Sequence, residues 1–99
     1  MARNYPNVYL DLCWLPLIST SRAQNFLKEA LELVNAGRIV WGCDTWTSEE
    51  SLGARCAVHH CILAVLNEMI EEGRLTHEAA FAVARGILRD NAARLYHLF

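Results

Sequence analysis

The feature that most constrains this chain is a change of hydrophobic period, twice, within its first half. "NVYLDLCW", residues 7–14, is rich in β-formers and almost continuously apolar. That is the pattern of a strand covered on both faces, as in a parallel sheet. Pro6 before it suits a strand entrance. From Ser21 to Asn35 apolar residues recur at steps of three and four: Ala23, Phe26, Leu27, Ala30, Leu31 and Val34. This is the stripe of an amphipathic helix. "RIVWGCD" then returns to a short apolar run. Strand, helix and strand with short connections make a βαβ unit, whose strands are parallel and whose crossover is right-handed in nearly all cases.

The punctuation supports these limits. "LPLIST" reads as a loop with Pro16 as breaker, and Ser19, Thr20 or Ser21 is the helix N-cap. Gly37 suits the left-handed position past the helix end. "TSEE" is a capping box in which Thr47 caps a second helix and Glu50 reaches back. That helix carries Leu52, Cys56, His59, His60, Leu63, Leu66 and Ile70 and stops at Gly73. Thr76 caps a further helix, Gly86 marks a break, and "LRDNAARLYHLF" closes the chain. The expected elements are strands 7–14 and 38–43, with helices 21–35, 48–72, 76–86 and 88–97.

Composition sharpens the question of what surrounds this unit. Of 99 residues, 54% are hydrophobic and 20% charged. A domain this small buries a limited fraction of its surface, so the chain has more apolar surface to hide than its own core holds. It is expected to self-associate or to belong to something larger. The net charge of −2 gives no reason to expect nucleic acid or an anionic membrane, and Arg85, Arg89 and Arg94 form a stripe that reads as a solvated helix face. "VYLDLCWLPLI" is too short to span a bilayer and contains Asp11 and Pro16. Four cysteines without an apolar leader point to free thiols in a reducing, cytoplasmic compartment.

Three places carry chemically useful residues. Asp44 falls at the carboxyl end of the second strand, where α/β sheets and barrels bind ligands. A carboxylate there either serves as general base or metal ligand, or caps the helix that follows. Asp11 interrupts an apolar strand and needs hydrogen bonds or a charge partner. It either lines the same pocket as Asp44 or is held structurally by backbone donors. "CAVHHC" places Cys56, His59 and His60 on one helix face beside Cys61. No second ligand motif exists for a structural zinc, so an ordinary histidine pair on an amphipathic helix is the better account. There is no Gly-rich phosphate loop, no Gly-x-Ser-x-Gly elbow and no His-x-His pair.

In order and spacing, "YPNVYLDLCWLPLIS", "RIVWGCDTW" and "EEGRLTHEAAFAVARGILRDNAARLY" resemble the C-terminal portion of the amidohydrolase superfamily, in the branch called amidohydrolase-related or amidohydrolase 2. The resemblance covers nearly the whole chain. It implies an α/β fold: the C-terminal βαβα portion of a (β/α)8 TIM barrel, with two parallel strands and about four helices. It implies a metal-dependent hydrolase in which metal-activated water attacks a carbonyl of a small-molecule substrate, or decarboxylation at the same metal. The family's last strand ends in a short apolar run, a Gly and an Asp, here Trp41, Gly42, Cys43 and Asp44. By that resemblance Asp44 is metal ligand and general base, toward a divalent zinc or manganese. Asp11, Cys13, Trp14 and Trp46 then line the substrate pocket, and Asn91 and Leu95 are structural positions of the closing helix.

The departures are as informative. The family's first strand supplies a His-x-His pair and middle strands a Lys or further His, and none of these can be placed here. A barrel takes about 250 residues. The expectation is therefore a fragment of the barrel, residues 1–99, inactive and metal-free alone, awaiting the N-terminal part. "MARNYPN" would be the tail of the preceding helix. The alternative is a non-catalytic α/β module or relic that self-associates.

Overall fold

A computed structural model describes residues 2–98. Its elements are strand β1 (Leu10–Asp11), helices α1 (Leu15–Ile18) and α2 (Thr20–Leu33), strand β2 (Ile39–Val40), and helices α3 (Ser48–Glu71), α4 (His77–Arg85) and α5 (Asn91–Leu95). A 3-10 turn, Ala36–Arg38, precedes β2, and a π-helical segment, Gly86–Asp90, joins α4 to α5. The two strands pair in parallel, Leu10 opposite Ile39 and Asp11 opposite Val40. The chain is thus mixed α/β, two parallel strands among helices.

The strands are much shorter than the apolar runs that encode them. The ladder ends just past Asp11 with Leu12 N–H donating to Val40 O at 3.1 Å. Cys13 then turns the chain away in a left-handed conformation, φ 45°. At the other end, residues 7–9 have no second strand to pair with, so apolar character persists without a ladder. In β1 Leu10 is half-buried and Asp11 exposed, and Leu12 just beyond the strand is buried. In β2 both Ile39 and Val40 are buried.

Pro16 does not break a helix; it opens α1 from within its first turn, where the missing N–H would have had no partner. Ser19 is the cap of α2, its hydroxyl accepting from Arg22 N–H at 3.3 Å. Gly37 is not left-handed. It lies in the 3-10 turn, where a Cβ would stand 3.0 Å from Asn35 Oδ1 and 3.1 Å from Arg94 Nη2. Thr47 and Thr76 cap α3 and α4, accepting from Glu50 and Ala79 N–H, each at 3.1 Å. Gly73, φ 75°, ends α3. Gly73 N–H reaches Ile70 O and Arg74 N–H reaches Met69 O, the paired bonds of a Schellman stop.

The core lies between α2 and α3. Ala23, Leu27 and Ala30 meet Ala54, Val58, Cys61, Ile62, Val65, Leu66 and Met69, with Ile39 of β2 and Ile87 sealing one side. Of the residues the sequence places along α3, Leu66 is buried. Leu52, Cys56 and Leu63 are exposed, because α3 is apolar on more than one side and α2 selects the 54–58–61–65–69 face. His59, Leu63, Leu66 and Ile70 instead line a groove of about 380 Å³ against Ala80, Phe81, Ala84 and Leu88. Lys28 bridges Glu68 (2.7 Å) and Glu72 (3.3 Å), and Arg74 meets Glu32 at 2.6 Å, across the same helix pair.

Gly86 does not interrupt the C-terminal helices. The backbone stays helical (φ −59°, ψ −52°) and widens into the π segment. A Cβ at Gly86 would stand 3.0 Å from Asn91 Oδ1. Asn91 is the buried polar residue of the core, and its Nδ2 donates to Ala36 O (2.8 Å) and Ile39 O (2.7 Å). The widened turn sets this side chain against the entrance of β2. Among the described residues no helix is long and apolar enough to cross a membrane.

Candidate active site

The two strand ends lie side by side, and the loops leaving them carry most of the residues singled out from sequence. Asp44 is exposed, in the loop between β2 and α3, with a left-handed backbone, φ 46°. That conformation is sterically costly for most residues but tolerated by Asp and Asn. Its side chain does not cap α3; Thr47 does. Among the described residues nothing bonds the Asp44 carboxylate. It is an exposed acceptor, open to a proton, a substrate or a cation.

Asp11 is engaged. Its Oδ1 accepts from Cys13 N–H at 2.8 Å and from Gly42 N–H at 3.1 Å. The first bond closes an Asx turn; the second crosses from the end of β1 to the end of β2. Of the two sequence alternatives, support by backbone donors describes its contacts. Trp14 is 38% exposed, and its indole Nε1–H donates to the carbonyl oxygen of Asp44 at 2.5 Å. Trp46 is 87% exposed, two residues beyond Asp44. Trp14 thus contacts Asp44 directly and Asp11 ties to Gly42, two residues before it, while Trp46 is largely exposed.

Sequence reasoning missed a hydroxyl–thiol cluster beside Asp44. Cys43 Sγ lies 3.4 Å from Thr45 Oγ1. Thr45 Oγ1 bonds Ser51 Oγ, which also donates to Thr47 O at 3.0 Å. The Thr45 hydroxyl holds the Cys43 thiol below its ordinary pKa against the opposing effect of burial, and Ser51 adds to the lowering. Burial alone pushes the Cys61 thiol up. The signal was the run of hydroxyl residues 45–51, read only as a helix start. Trp41, half-buried before Gly42, has an indole N–H with no partner among the described residues.

The donor set does not fit a divalent metal by itself. Zinc sites take three protein ligands or four. Here one free carboxylate, Asp44, stands beside another whose Oδ1 is already doubly bonded. Among the described residues no group of three His, Cys, Asp or Glu is placed to hold an ion. The Cys56–Cys61 segment does not supply one either, because Cys61 faces the core while Cys56, His59 and His60 are exposed.

Comparison with known proteins bears on which chemistry this site belongs to. The family model described as Amidohydrolase matches residues 1–98. Among curated proteins the chain is similar to Protein fluG of Emericella nidulans, 34% identical over 96 residues. That match covers 95% of this chain and 11% of the relative, so the chain spans about a tenth of the curated relative's length. No solved structure matches the chain.

Proposed function

The chain belongs to the amidohydrolase family, and from that premise we propose that it is the C-terminal βαβα segment of a (β/α)8 barrel with metal-dependent hydrolase chemistry. Residues 1–99 form one segment of that barrel. Asp44 is the general base, and also the ligand the chain offers to a zinc or manganese ion whose other ligands lie outside it. The observation that carries this is the placement of Asp44: an unbonded, exposed carboxylate on the loop leaving the carboxyl end of a parallel strand. That is the end at which barrels assemble their sites.

The step assigned to this chain is a proton transfer. A water oxygen adds to a carbonyl carbon of a small-molecule substrate, and the water proton passes to the Asp44 carboxylate. The bound metal would supply charge stabilisation at the carbonyl oxygen. Trp14, bonded to the Asp44 main chain, and the exposed Trp46 and Asp11 at the same strand ends are assigned to substrate contact. Decarboxylation at the same centre is the companion chemistry, separated from hydrolysis by its product. The four free cysteines fit a reducing, cytoplasmic setting. Alone, with one unpaired metal-facing carboxylate, the chain is inactive.

A second reading has its own support. Trp46, Phe81 (71% exposed) and Ile18 leave much apolar surface in water, which fits a module that self-associates without catalysis. Manganese titration followed by NMR separates the two. The catalytic account predicts paramagnetic broadening of amide signals centred on Asp44 and lost in Asp44→Asn. Broadening centred on Glu49 and Glu50, or unchanged in Asp44→Asn, overturns it.

A further inference from the structure

We infer that Asp11 and Trp14 are positioning residues: together they clamp the β2–α3 loop to the end of β1 and hold Asp44 in its left-handed conformation. The inference rests on the assignment of Asp44 as the functional carboxylate, and gives the neighbouring strand the task of aiming it.

Three observations converge. First, two residues in this pair of loops, Cys13 and Asp44, sit at positive φ (45° and 46°). Such conformations persist only where surrounding structure over-determines them. Second, one carboxylate oxygen serves both loops. Asp11 Oδ1 accepts from Cys13 N–H, fixing the turn that leaves β1, and from Gly42 N–H, fixing the segment that leaves β2. The Gly42–Asp11 bond continues the cross-strand pairing past Val40, so a side chain replaces the backbone acceptor that a longer strand would have supplied. Third, Trp14 Nε1–H donates to the main-chain oxygen of Asp44 itself. Gly42 and Asp44 are two residues apart, and each is tied to β1 or the loop after it.

The two ties act on the backbone on either side of Cys43. They leave the Asp44 carboxylate unbonded. The loop is therefore held by its main chain while its side chain stays available. That division suits a group that must be placed accurately yet remain reactive. The Asp11 carboxylate lies close to Gly42, where a Cβ would stand 3.6 Å from Oδ2, ordinary van der Waals contact.

The test is amide hydrogen exchange and NMR on the full chain. Asp11→Ala is expected to lower the protection of the Gly42 amide about tenfold, the factor for losing one charge-assisted hydrogen bond, and to shift the Asp44 backbone signals out of the left-handed range. Asp11→Asn keeps an acceptor oxygen and is expected to restore both. Trp14→Phe keeps the ring but removes the N–H. It is expected to move the Asp44 carbonyl carbon shift and leave Gly42 protection within about twofold. Should Asp11→Ala fail to fold, Asp11→Asn and Trp14→Phe decide the question. Asp44 signals unchanged in Trp14→Phe, or Gly42 protection unchanged in a folded Asp11→Ala, would overturn the clamp. The manganese titration is independent. If broadening centres elsewhere the role of Asp44 fails while the clamp stands, and the reverse failure is equally visible.

Discussion

Removing the Asn91 amide should destabilise the chain more than any exposed substitution near the strands. Asn91 is 4% exposed, and its two donors go to Ala36 O and Ile39 O at 2.8 and 2.7 Å. Asn91→Ala deletes both donors. The Ile39 carbonyl then lies buried without this partner, at a cost of about 1–3 kcal/mol, and the more accessible Ala36 bond adds about 0.5–1.5 kcal/mol. The expected loss is therefore about 3 kcal/mol. Against a total stability of about 5–15 kcal/mol for a domain, that is a large fraction. With a urea slope of about 1–3 kcal/mol/M, the midpoint should fall by roughly 1–3 M. Asn91→Asp conserves volume but turns a carboxylate oxygen toward two carbonyl oxygens, with only Arg94 Nη2 nearby, 3.4 Å from the present Oδ1. It should destabilise at least as much as the alanine. Gly86→Ala should couple to Asn91, because its new Cβ would meet Asn91 Oδ1 at 3.0 Å. In a double-mutant cycle with Asn91→Ala part of its cost should disappear. Urea unfolding followed by circular dichroism measures all three. A midpoint shift in Asn91→Ala below about 0.3 M would refute the assignment of Asn91 as the tie between the C-terminal helices and β2.

Asp44→Asn should leave the melting temperature unchanged, since the carboxylate is unbonded and Asn tolerates positive φ. Asp44→Val should cost about 1–2 kcal/mol, because a β-branched apolar side chain lacks the local polar bonding that lets Asp and Asn adopt the left-handed region; equal melting of the two would contradict the backbone conformation. Thr47→Ala should cost about 1 kcal/mol through loss of the α3 cap, read as a lowered urea midpoint. Cys43 should alkylate at lower pH than an ordinary thiol. Its thiolate is stabilised by Thr45, so reactivity rises as pH climbs through the lowered pKa, and Thr45→Ala should move the profile back up. Cys61, buried and shifted the other way, should react last; peptide mapping after timed labelling checks the order.

Much of this architecture is legible in the sequence, and the parts that are not share a cause. The capping threonines and the Gly73 stop follow from local chemistry within a few residues, and the parallel pairing from the strand–helix–strand order; both are what a sequence displays. Strand length is not local. "NVYLDLCW" and "RIVWGCD" have strand composition throughout, but a ladder extends only where a partner strand runs alongside, and here that is two residues on each side. The buried face of α3 is not legible for a similar reason. Both the 52–56–59–63 side and the 54–58–61–65 side are apolar, and only packing against α2 selects between them. Gly37 and Gly86 read as helix punctuation, whereas in the structure each lies in a helical turn where a Cβ would crowd the side chains of Asn35 and Arg94 or of Asn91. At the site, the sequence singled out Asp44, Asp11 and Trp14 as candidates. It could not show that Asp11 and Trp14 reach Asp44's own loop, because those bonds span about thirty positions.

The central claim is that this amidohydrolase-family chain presents Asp44 toward a metal whose other ligands it does not contain. The most direct measurement is elemental analysis of the purified chain and of Asp44→Asn, with mass in solution by light scattering. Zinc and manganese are expected well below one per chain in both proteins, together with self-association through the exposed apolar surface. One metal per chain in a monomer, lost in Asp44→Asn, would contradict it and show that the chain builds a complete site of its own.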